Sequence, residues 1–139
     1  MKKVEIQKLY SSYIIPESRS PYHFEKKEDA YTELQAYNPL CGDKYQLYLD
    51  DHSLSFYGIG CALSMASGSL LARSAEGLSK DKLLILLTAF LRSLDLKNEI
   101  EKELPEAVKV LASLKHFEGR IDCIKLPWQT MYDNLNNTK

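Results

Sequence analysis

The segment NPLCGD, residues 38–43, places a thiol and a carboxylate two residues apart on a turn, at Cys41 and Asp43. Two further cysteines, Cys61 and Cys123, lie far along the chain and can share a site with Cys41 and Asp43 only if the fold brings them back to this turn. Thiolates with one carboxylate suit zinc, and thiolates also hold iron–sulfur clusters. These four residues are therefore a candidate metal-ligand set.

Gly42 separates the first two candidate ligands, and without a Cβ it lets the turn fold tightly enough for both to face one centre. The spacing alone does not establish a metal site, because the chain has no CxxC pair and unpaired cysteines are often small buried hydrophobes. Asp43 by itself is also typical of a turn or a cap. From the residues alone, a metal site, inert buried thiols and an ordinary turn all stay open.

The three histidines are predicted to be ordinary surface residues. His23 falls in a polar connection, His52 in a turn and His116 near a helix end, where its cation favours the dipole. Only His116 is near a candidate ligand in sequence.

Composition indicates one globular domain, residues 1–139, with 45% hydrophobic residues and a net charge of −1. A charge so close to zero gives no electrostatic footprint for nucleic acid or for an anionic membrane. The chain has neither a signal-peptide pattern nor an apolar run long enough to span a bilayer, so we expect a cytoplasmic protein. In a reducing compartment, three cysteines favour metal or thiol chemistry over disulfides.

Alternating apolar residues at positions 45, 47 and 49 predict a strand that begins just after Asp43. Turn residues at 50–53 lead into a returning strand with Leu54 and Phe56, so the pattern is that of a β-hairpin. Residues 30–36 give a weaker strand signal before it.

The turn GIGC, residues 58–61, leads into a run of Ala, Ser and Leu that predicts a helix over 62–76, ended by Gly77. Cys61 therefore stands at a helix N-terminus. There the unpaired backbone N–H groups and the helix dipole favour thiolate over thiol.

At the N-terminus, apolar residues at helical spacing predict a helix over 4–15, ended by Pro16. Two further helices are predicted farther along, over 80–96 after the N-cap Ser79 and over 106–114 after Pro105.

The last helix contains Pro127, which is predicted to lie in its first turn because proline farther in breaks the hydrogen-bond ladder. Cys123 is then expected beside a helix start. Three lysines of the C-terminal part, Lys109, Lys115 and Lys125, are predicted to form an exposed face.

NPLCGD around Cys41, YGIGCALSMASGSLLA around Cys61 and RIDCIKLPWQTM around Cys123 together resemble the U-type iron–sulfur cluster assembly proteins, the NifU N-terminal-like family. The resemblance runs from the first predicted helix through Trp128. It implies an α+β fold in which a small antiparallel three-stranded sheet packs against about five helices.

Within the family the chain is more similar to the SufU branch than to the IscU branch. IscU proteins carry His directly before the last cysteine, where this chain has Asp122, and the stretch from Glu76 to Arg120 resembles a SufU insertion. Two departures stand out: the hairpin from Tyr45 to Tyr57 is shorter than expected for the family, and Asp122 adds a negative charge beside the last cysteine. That charge would weaken docking to an acidic partner or supply a spare ligand.

The resemblance implies that Cys41, Asp43, Cys61 and Cys123 bind zinc, with iron or a [2Fe–2S] cluster as the alternative. Cys41 would be the catalytic residue, leaving the metal to take sulfur from the persulfide of a SufS-like cysteine desulfurase. The sulfur would then pass to a downstream cluster scaffold or apo-protein. Arg120 matches a position near the partner surface.

Such a protein is a sulfurtransferase-like partner of a desulfurase rather than a self-standing enzyme. Two other functions stay open at this point. One is a scaffold that assembles a [2Fe–2S] cluster on the same ligands, and the other is a structural zinc domain that acts as an adaptor.

Overall fold

Three consecutive strands form an antiparallel sheet in the order β1 (Thr32–Asn38), β2 (Asp43–Leu49) and β3 (Leu54–Ile59). The computed structural model describes residues 3–30, 32–39, 42–116 and 119–137. The predicted hairpin is confirmed, and β1 lies two residues later than the sequence pattern indicated.

Strand alternation gives the sheet one largely buried face, on which Leu34, Leu47 and Phe56 are cross-strand neighbours. Residues 23–25 cover the free edge of β3, because the Phe56 N–H donates to the His23 carbonyl (3.1 Å) and the Glu25 N–H donates to the Phe56 carbonyl (2.9 Å). β2 is therefore the shielded centre of the sheet, and it carries Asp43 at its first residue.

The described residues form five helical segments against the sheet, as the resemblance implied. The first runs over residues 3–19 and comprises α1 (Lys3–Leu9), a π-helical turn (Tyr10–Ile14) and α2 (Ile15–Arg19); the others are α3 (Ala62–Ala75), α4 (Lys80–Ser93), α5 (Glu106–Ser113) with a 3₁₀ turn (Leu114–His116), and α6 (Ile121–Asn137). α3 and α6 pack together on the buried face, α4 packs on α6, and α2 packs on α3. No described helix is both long enough and apolar enough to cross a bilayer.

The N-terminal helical segment does not end at Pro16, so that prediction was wrong. A π-helical turn precedes the proline, in which the Ile15 N–H donates to the Tyr10 carbonyl five residues earlier. The wider turn relieves the clash that a proline ring makes with the carbonyl four residues before it. The chain then continues as α2 to Arg19.

Pro127 also lies deeper in its helix than predicted. α6 begins at Ile121, where the Ile124 N–H donates to the Arg120 carbonyl (3.2 Å), and the proline falls in the second turn. Cys123 is therefore in the first turn of α6 rather than before it. Proline is tolerated there because tertiary contacts on both sides of it hold the helix in place.

Those contacts centre on Ser67 of α3, which is fully buried. Its hydroxyl donates to the Ile124 carbonyl (2.5 Å) and accepts from the Trp128 indole N–H (3.0 Å). Trp128 is itself fully buried and stacks on Phe90 of α4 with ring centroids 4.0 Å apart. This network joins three helices and fixes the position of α6.

Lys115 is not part of an exposed face, contrary to the prediction, whereas Lys125 is exposed. Its ammonium donates to three backbone carbonyls, one at the last residue of α4 and two in the segment after it: those of Ser93 (2.7 Å), Asp95 (2.8 Å) and Asn98 (2.7 Å). Three N–H groups meet three acceptors, at a helix end where carbonyls carry partial negative charge. Burial lowers the pKa of Lys115, and the Asp95 carboxylate opposes that change.

Candidate metal centre

Three of the four predicted ligands converge at one end of the sheet. One carboxylate oxygen of Asp43 and the sulfurs of Cys61 and Cys123 all lie within 4.8 Å of one another. Cys41, the fourth predicted ligand and the predicted catalytic residue, lies outside the described residues.

The register of the hairpin brings Asp43 and Cys61 together. Lys44 pairs with Ile59, so the start of β2 lies beside the end of β3; Asp43 directly precedes Lys44, and Cys61 is two residues after Ile59. The Cys61 backbone N–H donates to the Asp43 Oδ1 at 3.1 Å. Asp43 is almost fully buried, so this bond also fixes the orientation of its carboxylate.

Cys61 is the N-cap of α3, as the sequence predicted. Its backbone is extended (φ −71°, ψ 167°) and its sulfur accepts from the Ser64 backbone N–H at 3.4 Å. The sulfur thus occupies the place of the usual capping oxygen, at the positive end of the helix dipole. A backbone N–H and the helix N-terminus therefore both face the sulfur that would bind the metal.

The turn before Asp43 is closed by the Gly42 N–H, which donates to the Asn38 carbonyl at 2.8 Å. Gly42 has φ +76°, a left-handed conformation that costs glycine little and other residues more. The glycine between the two candidate ligands therefore has the tight-turn role that the sequence indicated.

Cys123 reaches the site from α6 and is 3% exposed. Its neighbours Arg120 and Asp122 are exposed. Asp122 is not in the converging group of ligand atoms found among the described residues, and His116 is not in it either. Arg120 is close enough to the site for its charge to act on the Tyr10 phenol there.

Two tyrosines of the site were not singled out from the sequence. Burial raises the pKa of both Tyr10 and Tyr45, and the Cys61 and Cys123 sulfurs add to the effect at each. Tyr45 was detectable in principle, because it is two residues after Asp43 on a strand and so shares its face.

Ser64 was also missed, although it stands three residues after a predicted N-cap, where a capping bond is expected. Its hydroxyl donates to the Cys61 carbonyl (3.1 Å), lies 3.7 Å from the Cys61 sulfur and is 2.8 Å from the Tyr45 hydroxyl.

The donor set fits zinc in both chemistry and spacing. Zinc accepts sulfur and carboxylate oxygen in a tetrahedron, which separates its ligand atoms by about 3.3–3.8 Å. The three described ligand atoms lie within 4.8 Å of one another, so shifts of about 1 Å would bring them to that geometry. Thiolate ligands also suit iron–sulfur clusters, and the described set fits both groups.

Comparison with known proteins places the chain among iron–sulfur assembly proteins. It is 30% identical over 140 residues to the iron–sulfur cluster assembly scaffold protein IscU of Streptococcus pyogenes serotype M1, covering 96% of this chain and 87% of that protein. It is 28% identical over 99 residues to the zinc-dependent sulfurtransferase SufU of Bacillus subtilis strain 168, covering 68% of this chain and 67% of that protein. No protein-family model matches the chain.

Among solved structures, an iron–sulfur cluster assembly scaffold protein for the SUF system from Fervidobacterium islandicum AW-1 superposes with a TM-score of 0.82 at 26% identity. The match covers 93% of this chain and 98% of that one. The chain therefore belongs to the U-type iron–sulfur cluster assembly family. Its relatives carry both scaffold and zinc-dependent sulfurtransferase names, so membership alone does not choose between those two roles.

Proposed function

We propose that this protein is a zinc-bound sulfur acceptor for a SufS-like cysteine desulfurase, with residues 1–139 acting as one domain. The observation that carries the proposal is the convergence of one carboxylate and two cysteine sulfurs within 4.8 Å, in a family that includes a zinc-dependent sulfurtransferase. A mixed carboxylate and thiolate set is less typical of purely structural zinc sites, which are usually closed by Cys and His.

In this proposal Cys41, Asp43, Cys61 and Cys123 hold the metal. Coordination to zinc would keep the cysteines deprotonated at neutral pH. Asp43 and Cys61 are tied to each other by a hydrogen bond, and Cys123 is buried on an anchored helix, so these three are the retained ligands. Cys41 is the nucleophile.

The transfer step is a thiol–persulfide exchange. The Cys41 thiolate attacks the terminal sulfur of the partner's cysteine persulfide, the S–S bond of that persulfide breaks, and the partner's cysteine leaves as a thiolate. Cys41 then carries the sulfur as a persulfide to a downstream cluster scaffold or apo-protein. The exposed Arg120 guanidinium, whose charge reaches the same Tyr10 phenol as the two sulfurs, would attract the incoming persulfide anion.

The test compares the same substitution at two ligands. Cys41→Ser should retain zinc more weakly but accept no sulfur from a desulfurase supplied with cysteine. Cys61→Ser should lose most of its zinc while keeping its helix cap, because serine is a preferred N-cap. Elemental analysis and mass spectrometry of the persulfide give the two readouts. Sulfur acceptance by Cys41→Ser at the wild-type rate would contradict the proposal.

The scaffold function is the second candidate, and the coverage and identity of the IscU match favour it. It predicts that anaerobic reconstitution with ferrous iron and sulfide yields a visible [2Fe–2S] chromophore that is lost in Cys61→Ser. A colourless protein that keeps its zinc under those conditions argues for the acceptor.

A structural zinc adaptor makes a different prediction. There Asp43→Ala loses metal and folding stability together, because the metal would be part of the fold.

A further inference from the structure

Behind Cys61, on the side of the protein interior, lies a short chain of hydroxyl groups. Tyr45 is 2% exposed and Ser64 is fully buried, and their hydroxyl oxygens are 2.8 Å apart. The Ser64 oxygen in turn is 3.1 Å from the Cys61 carbonyl and 3.7 Å from the Cys61 sulfur. The chain therefore runs from β2 through α3 to a proposed metal ligand.

Counting protons gives this chain a direction. A tyrosine hydroxyl and a serine hydroxyl each donate once, and a thiolate only accepts. When Tyr45 donates to Ser64, the single Ser64 proton is directed onward to Cys61. That acceptor is the Cys61 carbonyl, 3.1 Å from the Ser64 oxygen, while the Ser64 backbone N–H donates to the Cys61 sulfur at 3.4 Å.

The Tyr45 and Ser64 hydroxyls are tightly packed against Gly60. A Cβ added at Gly60 would overlap both the Tyr45 hydroxyl and the Ser64 hydroxyl. The residue before Cys61 must therefore be glycine for the two hydroxyls to approach the Cys61 backbone so closely. The glycine, the tyrosine and the serine act as one packed unit.

We propose that Tyr45 and Ser64 are positioning residues that hold Cys61 as a fixed metal ligand. The inference rests on the proposed metal site. The two hydroxyls fix the Cys61 carbonyl, and so the Cys61 backbone, in the orientation that turns its sulfur toward the proposed metal. Cys61 thereby remains a ligand, and Cys41 is the cysteine that reacts. In metal sites of other proteins, such outer contacts are worth about 10–100-fold in metal affinity.

The experiment titrates metal-free protein with Co²⁺, whose thiolate charge-transfer band reports how the sulfur ligands are placed around the ion. Tyr45→Phe and Ser64→Ala should each bind Co²⁺ about 10-fold more weakly than wild type and shift the band from its wild-type position. Ser64→Thr, which keeps a hydroxyl, should restore both. Tyr48→Phe is the matched control, since Tyr48 is a buried tyrosine of the same strand on the other face.

Unchanged affinity and band position in Tyr45→Phe and Ser64→Ala would overturn the inference. Weaker binding without a band shift, or an equal effect in Tyr48→Phe, would also overturn it, because either result indicates general loosening of the fold. Wild-type protein that binds no Co²⁺ would overturn the proposed metal site and this inference together. Wild-type binding with unaffected variants would overturn this inference alone.

Discussion

Cys61 and Cys123 bring their sulfurs to one site by two different routes. Cys61 arrives locally: a short hairpin and a helix cap place it beside Asp43, within one stretch of chain. Cys123 arrives from a distant part of the sequence, and its position depends on how α6 packs against α3 and α4. One ligand is therefore positioned by local backbone geometry and the other by the packing of the hydrophobic core. Substitutions in the two regions should therefore change folding stability and metal binding in different proportions.

The largest effect should come from Trp128, the main core anchor of α6. Trp128→Ala removes a fully buried side chain, and we expect a loss of about 3–5 kcal/mol in the free energy of unfolding. Metal affinity should fall with it, because Cys123 loses its support. Urea denaturation of metal-free protein followed by circular dichroism gives the stability, and Co²⁺ titration gives the affinity. Full metal affinity in a destabilised Trp128→Ala protein would show that Cys123 does not depend on this packing.

Ser67 tests the polar part of the same anchor. Ser67→Ala leaves the buried Trp128 indole N–H without its acceptor, which should cost about 2 kcal/mol. In a double-mutant cycle with Trp128→Phe, which also removes this bond, the two losses should be less than additive. Strict additivity would mean that the Ser67–Trp128 bond does not contribute to the anchor.

Gly60 tests the local route. Gly60→Ala forces a Cβ into the Tyr45 and Ser64 hydroxyls, and we expect a cost of about 1–2 kcal/mol. The loss of metal affinity, relative to the loss of unfolding free energy, should be larger in Gly60→Ala than in the Trp128 and Ser67 variants. The control is Gly77→Ala, at φ +80° and with open space around its Cβ, which should destabilise the fold without weakening metal binding. Equal metal affinities in the two variants would remove the distinction between the routes.

The smallest effect should come from Pro127. Pro127→Ala improves helix propensity inside α6 but loses the buried ring, so we expect a net gain below about 1 kcal/mol. Thermal unfolding would measure it. A clear loss of stability would mean that the proline ring is itself part of the anchor for Cys123.

Sequence reasoning succeeded where the determinants are local. The hairpin follows from alternation at residues 45–49, and the helix starts at Cys61 and Ser79 follow from capping chemistry; both side chains accept the expected backbone N–H. The α+β fold, by contrast, was implied by family resemblance. It is confirmed by the sheet and the five helical segments.

The errors at proline arose where the helix accommodates the ring in a way that the local rule does not include. The rules for proline predicted that one helix ends at Pro16 and that Pro127 lies in the first turn of another. Both predictions were wrong. A π-helical turn accommodates the first ring, and the Ser67–Trp128 contacts hold the helix around the second. The residues alone likewise gave only a candidate ligand set. The approach of Cys123 to Asp43 depends on the packing of α6, which no spacing in the sequence encodes.

Lys115 has a consequence for the surface chemistry of the protein. Its ammonium is enclosed by the carbonyls of Ser93, Asp95 and Asn98, whereas Lys125 points to solvent. Amine-reactive reagents should therefore acylate Lys125 quickly and Lys115 only when the end of α4 opens. The rate of Lys115 modification therefore reports how often the region between α4 and α5 unfolds locally, and mass spectrometry can follow it without an introduced probe.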